Sequence, residues 1–325
     1  MNLNKETEER QQGVPKDASL PSVVAVIVNW NGKEHLLECL ASIEALDYPG
    51  SRLKIVVVDN ASRDGSQQAV TSLYPRCVLL ENKKNLGYAK AANQGIHFGL
   101  ASDARYLWIF NNDVVVFADT LRELVNAGES DDSIGVIAPV IYSYNDPQKV
   151  SNIGYSIDFC TGRMKRLRSG RDVFMNHEDT ACDVDSILGC SSLIKASVFH
   201  TIGLFRPIYN VYFEETDFNV RARRASFRVV VVKKAKVLHK DAATMDRHLL
   251  RRAWLLLRNL FLFECLNAGR VQLLVFLPYY FIVHLPQFVV RGSLYALRVK
   301  YNQARQMFRD ARFFKKEKSG DLLDV

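Results

Sequence analysis

The six cysteines of this chain, Cys39, Cys77, Cys160, Cys182, Cys190 and Cys265, include no C-x-x-C pair. Neither a zinc cluster nor a disulfide framework is therefore suggested, and a reduced, cytosolic setting is the simpler expectation. The first twenty residues, MNLNKETEERQQGVPKDASL, lack the apolar core a secretory signal needs and read as a disordered polar tail, 1–20. No G-x-G-x-x-G opens a helix after a strand, and no G-x-x-x-x-G-K-S/T occurs. The dinucleotide-binding and P-loop readings lose their main support. Phosphates would need another device, and a divalent cation held by a carboxylate is the obvious one.

What is present suits a folded enzyme. With 325 residues, 48% of them hydrophobic and 24% charged, the chain can bury one large α/β domain or two small ones. Its formal net charge of +8 fits nucleic acid, a membrane surface or an anionic substrate, and composition does not choose among them.

From Val23 the text alternates between two periods. VVAVIV, KIVVVD, CVLLE and YLWIF are short apolar runs, the pattern of strands buried on both faces. Between them lie GKEHLLECLASIEAL, with Leu36, Leu40, Ile43 and Leu46 on one helical face, DGSQQAVTSL and YAKAANQGIHFGLA. Strand and helix alternating at this spacing predict βαβ units and a mostly parallel sheet, with ligands beyond the carboxyl ends of the strands. Each strand ends in amides or acids: Asn29 and Asn31, then Asp59 and Asn60, then Asn82 to Gly87, then Asn111, Asn112 and Asp113. Together they predict one polar crevice.

At these residues the chain resembles the family 2 glycosyltransferases with a GT-A fold, nearest the branch that contains bacterial rhamnosyltransferases. The resemblance rests on VVAVIVNWNGKEHLLECLASI, IVVVDNASRDGS, NKKNLGYAKAANQGI, YLWIFNNDV, GCSSLIKASVFHTIGLFRPIYNVYFEETDFNVRARRA and VVVVKKAKVLHK, in that order, across roughly 21 to 260. It implies an α/β fold, a mixed sheet flanked by helices. It also implies a nucleotide-sugar donor, with Asp59 and Asn60 at the base and ribose and Asn29 and Asn31 beside them. Asn85, Gly87, Ala89, Ala91 and Asn93 would frame the donor pocket, the small residues letting a ligand approach the helix backbone.

The family's metal motif, often D-x-D, falls on Asn111, Asn112 and Asp113. Only Asp113 is an acid, so the resemblance implies one carboxylate ligand to Mg²⁺ or Mn²⁺, with Asn112 hydrogen-bonding in the donor pocket and His239, just past the strand FRVVVV, as a further ligand. The catalytic stretch is FEETDF. Glu215 aligns with the usual base of an inverting transfer, one methylene longer than the family's aspartate, and Asp217 remains its rival.

The basic stretch RMKRLRSGR, 163–171, is either a solvated face or a seat for acceptor phosphates. Beyond residue 260 the chain changes character. RRAWLLLRNLFLFECL reads as a helix with Arg258 and Asn259 facing away from an apolar stripe, and VQLLVFLPYYFIVHLPQFVV is long enough to cross a bilayer, though Pro278 and Pro286 interrupt it. Basic residues follow, Arg291, Arg298, Lys300, Arg305, Arg309, Arg312, Lys315 and Lys316, mixed with apolar ones. The expectation is a glycosyltransferase domain over 21–260 and a helical, basic amphipathic membrane-associating extension over 261–325, peripheral or monotopic at the cytoplasmic face of the cell membrane.

The expected reaction moves a hexose, L-rhamnose from dTDP-rhamnose first and a UDP-sugar next, onto a lipid-linked saccharide. Partners would be that acceptor and an anionic membrane surface, with no nucleic acid, and an apolar face at the tail also allows a homo-oligomer. Two other classes remain open. A sugar-1-phosphate nucleotidyltransferase would want a Gly-rich, cationic loop where this chain has NWNGKEH, and an inactive membrane-bound scaffold would fit the single-acid metal motif and the Glu215 substitution.

Overall fold

The computed structural model describes residues 20–167, 180–240 and 249–290. Residues 1–19, the end of the basic stretch at 168–171 and all the cations from Arg291 onward lie outside the described residues, whereas Leu20, the last residue of the expected tail, is buried in the core. The chain divides into two compact units, one of residues 1–158 with 163–245 and one of residues 159–162 with 246–325.

The first unit begins with β1 (Val23–Asn29), α1 (Lys33–Glu44), β2 (Leu53–Asp59), α2 (Ser66–Leu73), β3 (Val78–Glu81), α3 (Tyr88–Ala101) and β4 (Tyr106–Asn111). These are the elements that the alternating runs predict. After β4 come β5 (Val114–Val116), α4 (Thr120–Ser130), β6 (Ile134–Ser143), β7 (Asp146–Asn152), β8 (Gly154–Asp158), β9 (Arg163–Leu167), β10 (Ala181–Asp183), β11 (Ser191–Lys195), α5 (Ala196–Ile202), α6 (Glu214–Arg224) and β12 (Arg228–His239). The main sheet runs β10-β12-β6-β11-β4-β1-β2-β3, with β5 added on β12 and β7 on β6.

The sheet is mixed. β1 is parallel to β2 and β4, β2 to β3, and β6 to β12, whereas β11 is antiparallel to both β4 and β6. The carboxyl ends of β1, β2, β4, β6 and β12 therefore share one edge with the start of β11. A bulge between Val232 and Lys236 lets β12 continue to His239, so this histidine closes the strand instead of following it.

Each face of the sheet is covered. α1 and α4 put Leu36, Leu40, Ile43, Leu121 and Leu124 into one apolar layer with Ala25 and Ile27, while α3, α5 and α6 put Ile96, Phe199 and Phe218 into the other with Val24 and Val26. The alternation along β1 is period two with both faces apolar, which is why its text reads as a continuous run. β9 uses the first part of the basic stretch, pairing with β8 and leaving Arg163, Lys165 and Arg166 exposed.

The second unit holds α7 (Leu249–Asn267) and α8 (Arg270–Tyr279), and α7 runs unbroken through residue 260. The two helices form an antiparallel hairpin: Trp254 meets Phe288 at 6.2 Å between ring centroids, Phe261 meets Tyr280 at 5.0 Å, and the Tyr280 hydroxyl donates to Leu257 O at 3.3 Å. Asn259 does not face away from the apolar stripe. It is buried with Leu257, Leu260 and Phe263, and its Oδ1 accepts a bond from Arg258 Nη1 at 2.8 Å, which makes the burial tolerable.

Pro278 and Pro286 do not interrupt the last helix either. It continues from α8 to residue 290 through a π turn at Tyr280–His284, where the widened ring takes up the irregularity. By length and composition Arg270–Val290, 21 residues long, is apolar enough to cross a membrane, with mean hydropathy 1.8 in its 18-residue window.

Candidate active site

The polar strand ends are knitted to one another at the shared edge. Asn29, fully buried, donates from Nδ2 to Asp59 Oδ2 at 2.9 Å and to Ser62 Oγ at 3.1 Å, while its Oδ1 accepts Asn112 Nδ2 at 2.7 Å. Asp59 Oδ1 accepts the Ser62 N–H and Gln67 Nε2, each at 2.8 Å. Asn31, with φ at 51°, receives the Arg63 N–H on Oδ1 at 2.7 Å. Residues that end a strand must leave backbone donors unpaired in the loop beyond it, and these side chains satisfy them. Amides follow the buried strands for that reason.

A second knot ties β2 to the start of α3. Asn60 Oδ1 accepts the Leu86 N–H at 2.9 Å, Asn60 Nδ2 donates to Asn85 Oδ1 at 3.0 Å, and Asn85 Oδ1 also takes the Gly87 N–H at 2.8 Å. Gly87 has φ of +84°, and a Cβ there would lie 1.6 Å from Asn210 Oδ1, so backbone and space both demand glycine. Ala89 and Ala91 are not at the crevice. Both are fully buried in the apolar layer under α3, where Gly95 would meet Val26 Cγ1 at 2.2 Å if it carried a Cβ. The small residues let the helix approach the sheet, not a ligand. Asn93 likewise turns to Phe205, donating to its O at 2.8 Å and accepting its N–H at 3.2 Å.

β4 and β5 are separated by Asn112 and Asp113 alone, and β5 pairs with the end of β12 in a register that sets His239 opposite Val114. That short turn brings Asp113 beside His239, with Oδ1 3.3 Å from Nε2. Asp113 Oδ1 is buried and has no hydrogen-bond partner. A buried, orphaned carboxylate oxygen beside an imidazole nitrogen is a donor pair that fits a Mg²⁺ or Mn²⁺ ion. Among the described residues no group of three or more His, Cys, Asp or Glu could hold a metal, so the remaining ligands would be diphosphate oxygens and water.

The FEETDF acids open α6 after an unusual loop. Asn210, Tyr212 and Phe213 have φ of 65°, 70° and 73°, a left-handed conformation that bulky side chains rarely take. Asp217, wholly buried, is engaged on both oxygens: Oδ1 accepts Arg206 Nη1 at 2.8 Å and the Tyr209 hydroxyl at 3.2 Å, and Oδ2 accepts Arg221 Nε at 2.8 Å. Those bonds tie the loop to the helix it opens.

Glu215 has different surroundings. Its side chain lies on Gly189, where a Cβ would come 3.0 Å from Glu215 Cγ, and its Oε2 is buried without a partner. Burial pushes its carboxyl up to about 7. Glu214 is buried too, its Oε2 also lacking a partner, and burial with the adjoining Glu215 charge pushes it well above the ordinary carboxylate range. Tyr88, whose hydroxyl is 3.5 Å from Gly189 O, is raised well above its ordinary value by burial first and then by Glu214 and Glu215. The only sequence signal for the Gly189 seat is a glycine in the turn before the buried strand β11, and nothing in the sequence marks Tyr88.

A family model described as Glycosyl transferase family 2 matches residues 24–190. The N-acetylglucosaminyl-diphospho-decaprenol L-rhamnosyltransferase of Mycobacterium tuberculosis is 28% identical over 242 residues, covering 68% of this chain and 77% of that protein. Among solved structures, a mannosyltransferase from Pyrobaculum calidifontis in complex with GDP-Man and Mn²⁺ superposes with a TM-score of 0.57 at 19% identity, covering 80% of this chain and 68% of that one. GalNAc-T7 with UDP, GalNAc and Mn²⁺ gives a TM-score of 0.57 at 16% identity, and the match covers 69% of this chain but only 44% of that protein. These likenesses show a GT-A-like fold. By the family match over residues 24–190, which spans β1 to β10 and the strand ends from Asn29 to Asp113, the chain belongs to glycosyl transferase family 2.

Proposed function

We propose that this chain is an inverting, metal-dependent hexosyltransferase that acts on a lipid-linked saccharide at the cytoplasmic face of a membrane, with dTDP-rhamnose as donor and a UDP-sugar next. The observation that carries the chemistry is Glu215: a buried carboxylate with a free oxygen, lifted to about 7, standing on Gly189 in the turn that leads into β11. A base poised near the working pH can take a proton and is still abundant in its charged form.

In the proposed step Glu215 Oε2 accepts the proton of the acceptor hydroxyl as that oxygen bonds to the anomeric carbon. The bond from that carbon to the diphosphate oxygen breaks on the opposite face, which inverts the configuration. Asp113 and His239 would hold the divalent ion, whose chemistry is to neutralise charge on the leaving diphosphate. The knots around Asn29, Asp59, Asn60 and Asn85 keep the loops that would receive the nucleotide in fixed positions, and Asn112 joins β4 to them. Burial, and then the Glu215 charge, raise Glu214 well above the ordinary carboxylate range, which favours Glu215 as the acid of the pair that gives up its proton.

The acceptor assignment is supported by the name of the mycobacterial relative, whose substrate is a saccharide on a polyprenyl diphosphate. It is also supported by the exposed apolar side chains of the last helix, Val271, Leu274, Phe281 and Ile282 among them. The test is direct. Full-length protein with Mn²⁺, a polyprenyl-diphosphate GlcNAc and dTDP-rhamnose or UDP-sugars should yield a glycosylated lipid by mass spectrometry, with opposite anomeric configuration to the donor. Loss of that product on chelation is expected; turnover that ignores chelation would remove the metal, and a retained configuration would remove Glu215 as the base.

A further inference from the structure

The Asp113 and His239 pair is bracketed on both sides by backbone bonds from two neighbouring residues. The Lys240 N–H donates to Asp113 O, and the Tyr144 N–H donates to His239 O, each at 3.1 Å. The side chains of those same two residues converge on a third. Lys240 Nζ donates to Glu38 Oε2, and the Tyr144 hydroxyl donates to Glu38 Oε1 at 2.7 Å. Lys240 Nζ also lies 3.2 Å from His35 Nδ1 and 4.6 Å from the centroid of the Tyr144 ring. Burial alone would raise the Glu38 carboxyl, but the bonds from Lys240 and Tyr144 and the Lys240 charge outweigh it and hold the group below its ordinary value.

α1 does not need this contact to stay on the sheet, because its buried face of Leu36, Cys39, Leu40 and Ile43 already fixes it. The polar cluster is placed where the two candidate metal ligands meet, and it grips the chain one residue beyond β6 and one residue beyond β12. We propose that Glu38, with Lys240 and Tyr144, is a positioning clamp that fixes the separation of Asp113 and His239, and through it the affinity of the site for a divalent cation with a nucleoside diphosphate. This rests on the metal reading given above. Groups that orient metal ligands without touching the ion typically change metal affinity by about 10- to 100-fold when removed.

The experiment titrates Mn²⁺ by calorimetry into full-length protein saturated with UDP, and separately with dTDP. Glu38→Ala should weaken Mn²⁺ binding by about tenfold or more, Glu38→Gln, which still offers the Tyr144 hydroxyl an acceptor, by less, and Tyr144→Phe by an intermediate factor. Nucleotide affinity without metal, and the thermal midpoint, should stay near those of the unaltered chain. Tyr144→Phe removes one oxygen, so it remains informative if Glu38→Ala does not fold. Unaltered protein that binds Mn²⁺ while Glu38→Ala and Tyr144→Phe bind it equally well would overturn the clamp and leave the metal reading intact. Equal losses with and without metal would reduce the cluster to a general structural contact, and unaltered protein with no Mn²⁺-linked binding would overturn both.

Discussion

Replacing Glu215 by glutamine should separate chemistry from stability, because the structure sends the two in opposite directions. The carboxyl is lifted from an ordinary 4.5 to about 7 by burial, a difference that corresponds to roughly 3 kcal/mol. In the folded state the group binds its proton more tightly than in the unfolded chain. Stability is therefore full below the unfolded value, falls as pH rises from about 4.5 to about 7, and stays low above that. Glutamine has no charge to bury and lacks this fall. At pH 8.5 the variant should be more stable than the parent by up to roughly 3 kcal/mol, less what its amide N–H loses by finding no acceptor, whereas at pH 5 the two should be close. Transfer should nevertheless fall by about 10²-fold or more, with donor binding retained, and the parent's rate should climb as pH rises through about 7. Asp217→Asn is the control: breaking a buried ion pair costs about 3–5 kcal/mol, so its main effect should be on the thermal midpoint. Release of nucleoside diphosphate and melting curves at the two pH values measure all of this. Near-normal turnover of Glu215→Gln, or a stability difference that does not grow with pH, would refute the reasoning, and folded Asp217→Asn without turnover would move the base to Asp217.

Gly189→Ala would place its Cβ 3.0 Å from Glu215 Cγ, and a shift of a few tenths of an ångström in the base should lower kcat about tenfold with donor KM unchanged; an unchanged kcat would mean that Glu215 does not act from this position. Leu274 and Ile282 are each 73% exposed on the last helix, so full-length protein should float with anionic liposomes in a salt-dependent way and Leu274→Glu with Ile282→Glu should stay in solution; a parent that ignores liposomes but forms a stable oligomer would give this apolar face to a second copy of the chain.

Much of the first unit was legible because it is built on two plain periods. The runs VVAVIV and KIVVVD are buried on both faces, and the helix KEHLLECLASIE repeats its apolar residues at three and four. The strand-end amides were legible for the same reason: a buried strand can stop only where something satisfies its loop. Other features depend on partners distant in sequence. The reach of β12 to His239 needs a bulge that no local pattern announces. The direction of Ala91 is set by how closely α3 approaches Val26 and Leu107, so small residues gave the right size and the wrong neighbour. Asn259 was placed by polarity alone, while its burial follows from a bond to the residue beside it.

Spacing alone does not choose between Glu215 and Asp217 as the proposed base. Both lie in the first turn of α6, where any carboxylate is favoured by the helix dipole. What differs is the loop before them. Holding Asn210, Tyr212 and Phe213 at positive φ costs on the order of 1–3 kcal/mol each, and such strain persists only where the surroundings over-determine it. Asp217 supplies that surrounding: it gathers Arg206 and Tyr209 from the segment leading into the loop and Arg221 from the helix, and Arg221 in turn caps Ile202 O at 2.6 Å and Leu204 O at 2.8 Å. A carboxylate so fully bonded has no oxygen to spare for an acceptor hydroxyl. The same bonds fix the entry of the helix, and with it the place of Glu215, which rests on Gly189 with one oxygen unused. The strained loop and the bonded acid are thus one device that presents the unbonded one.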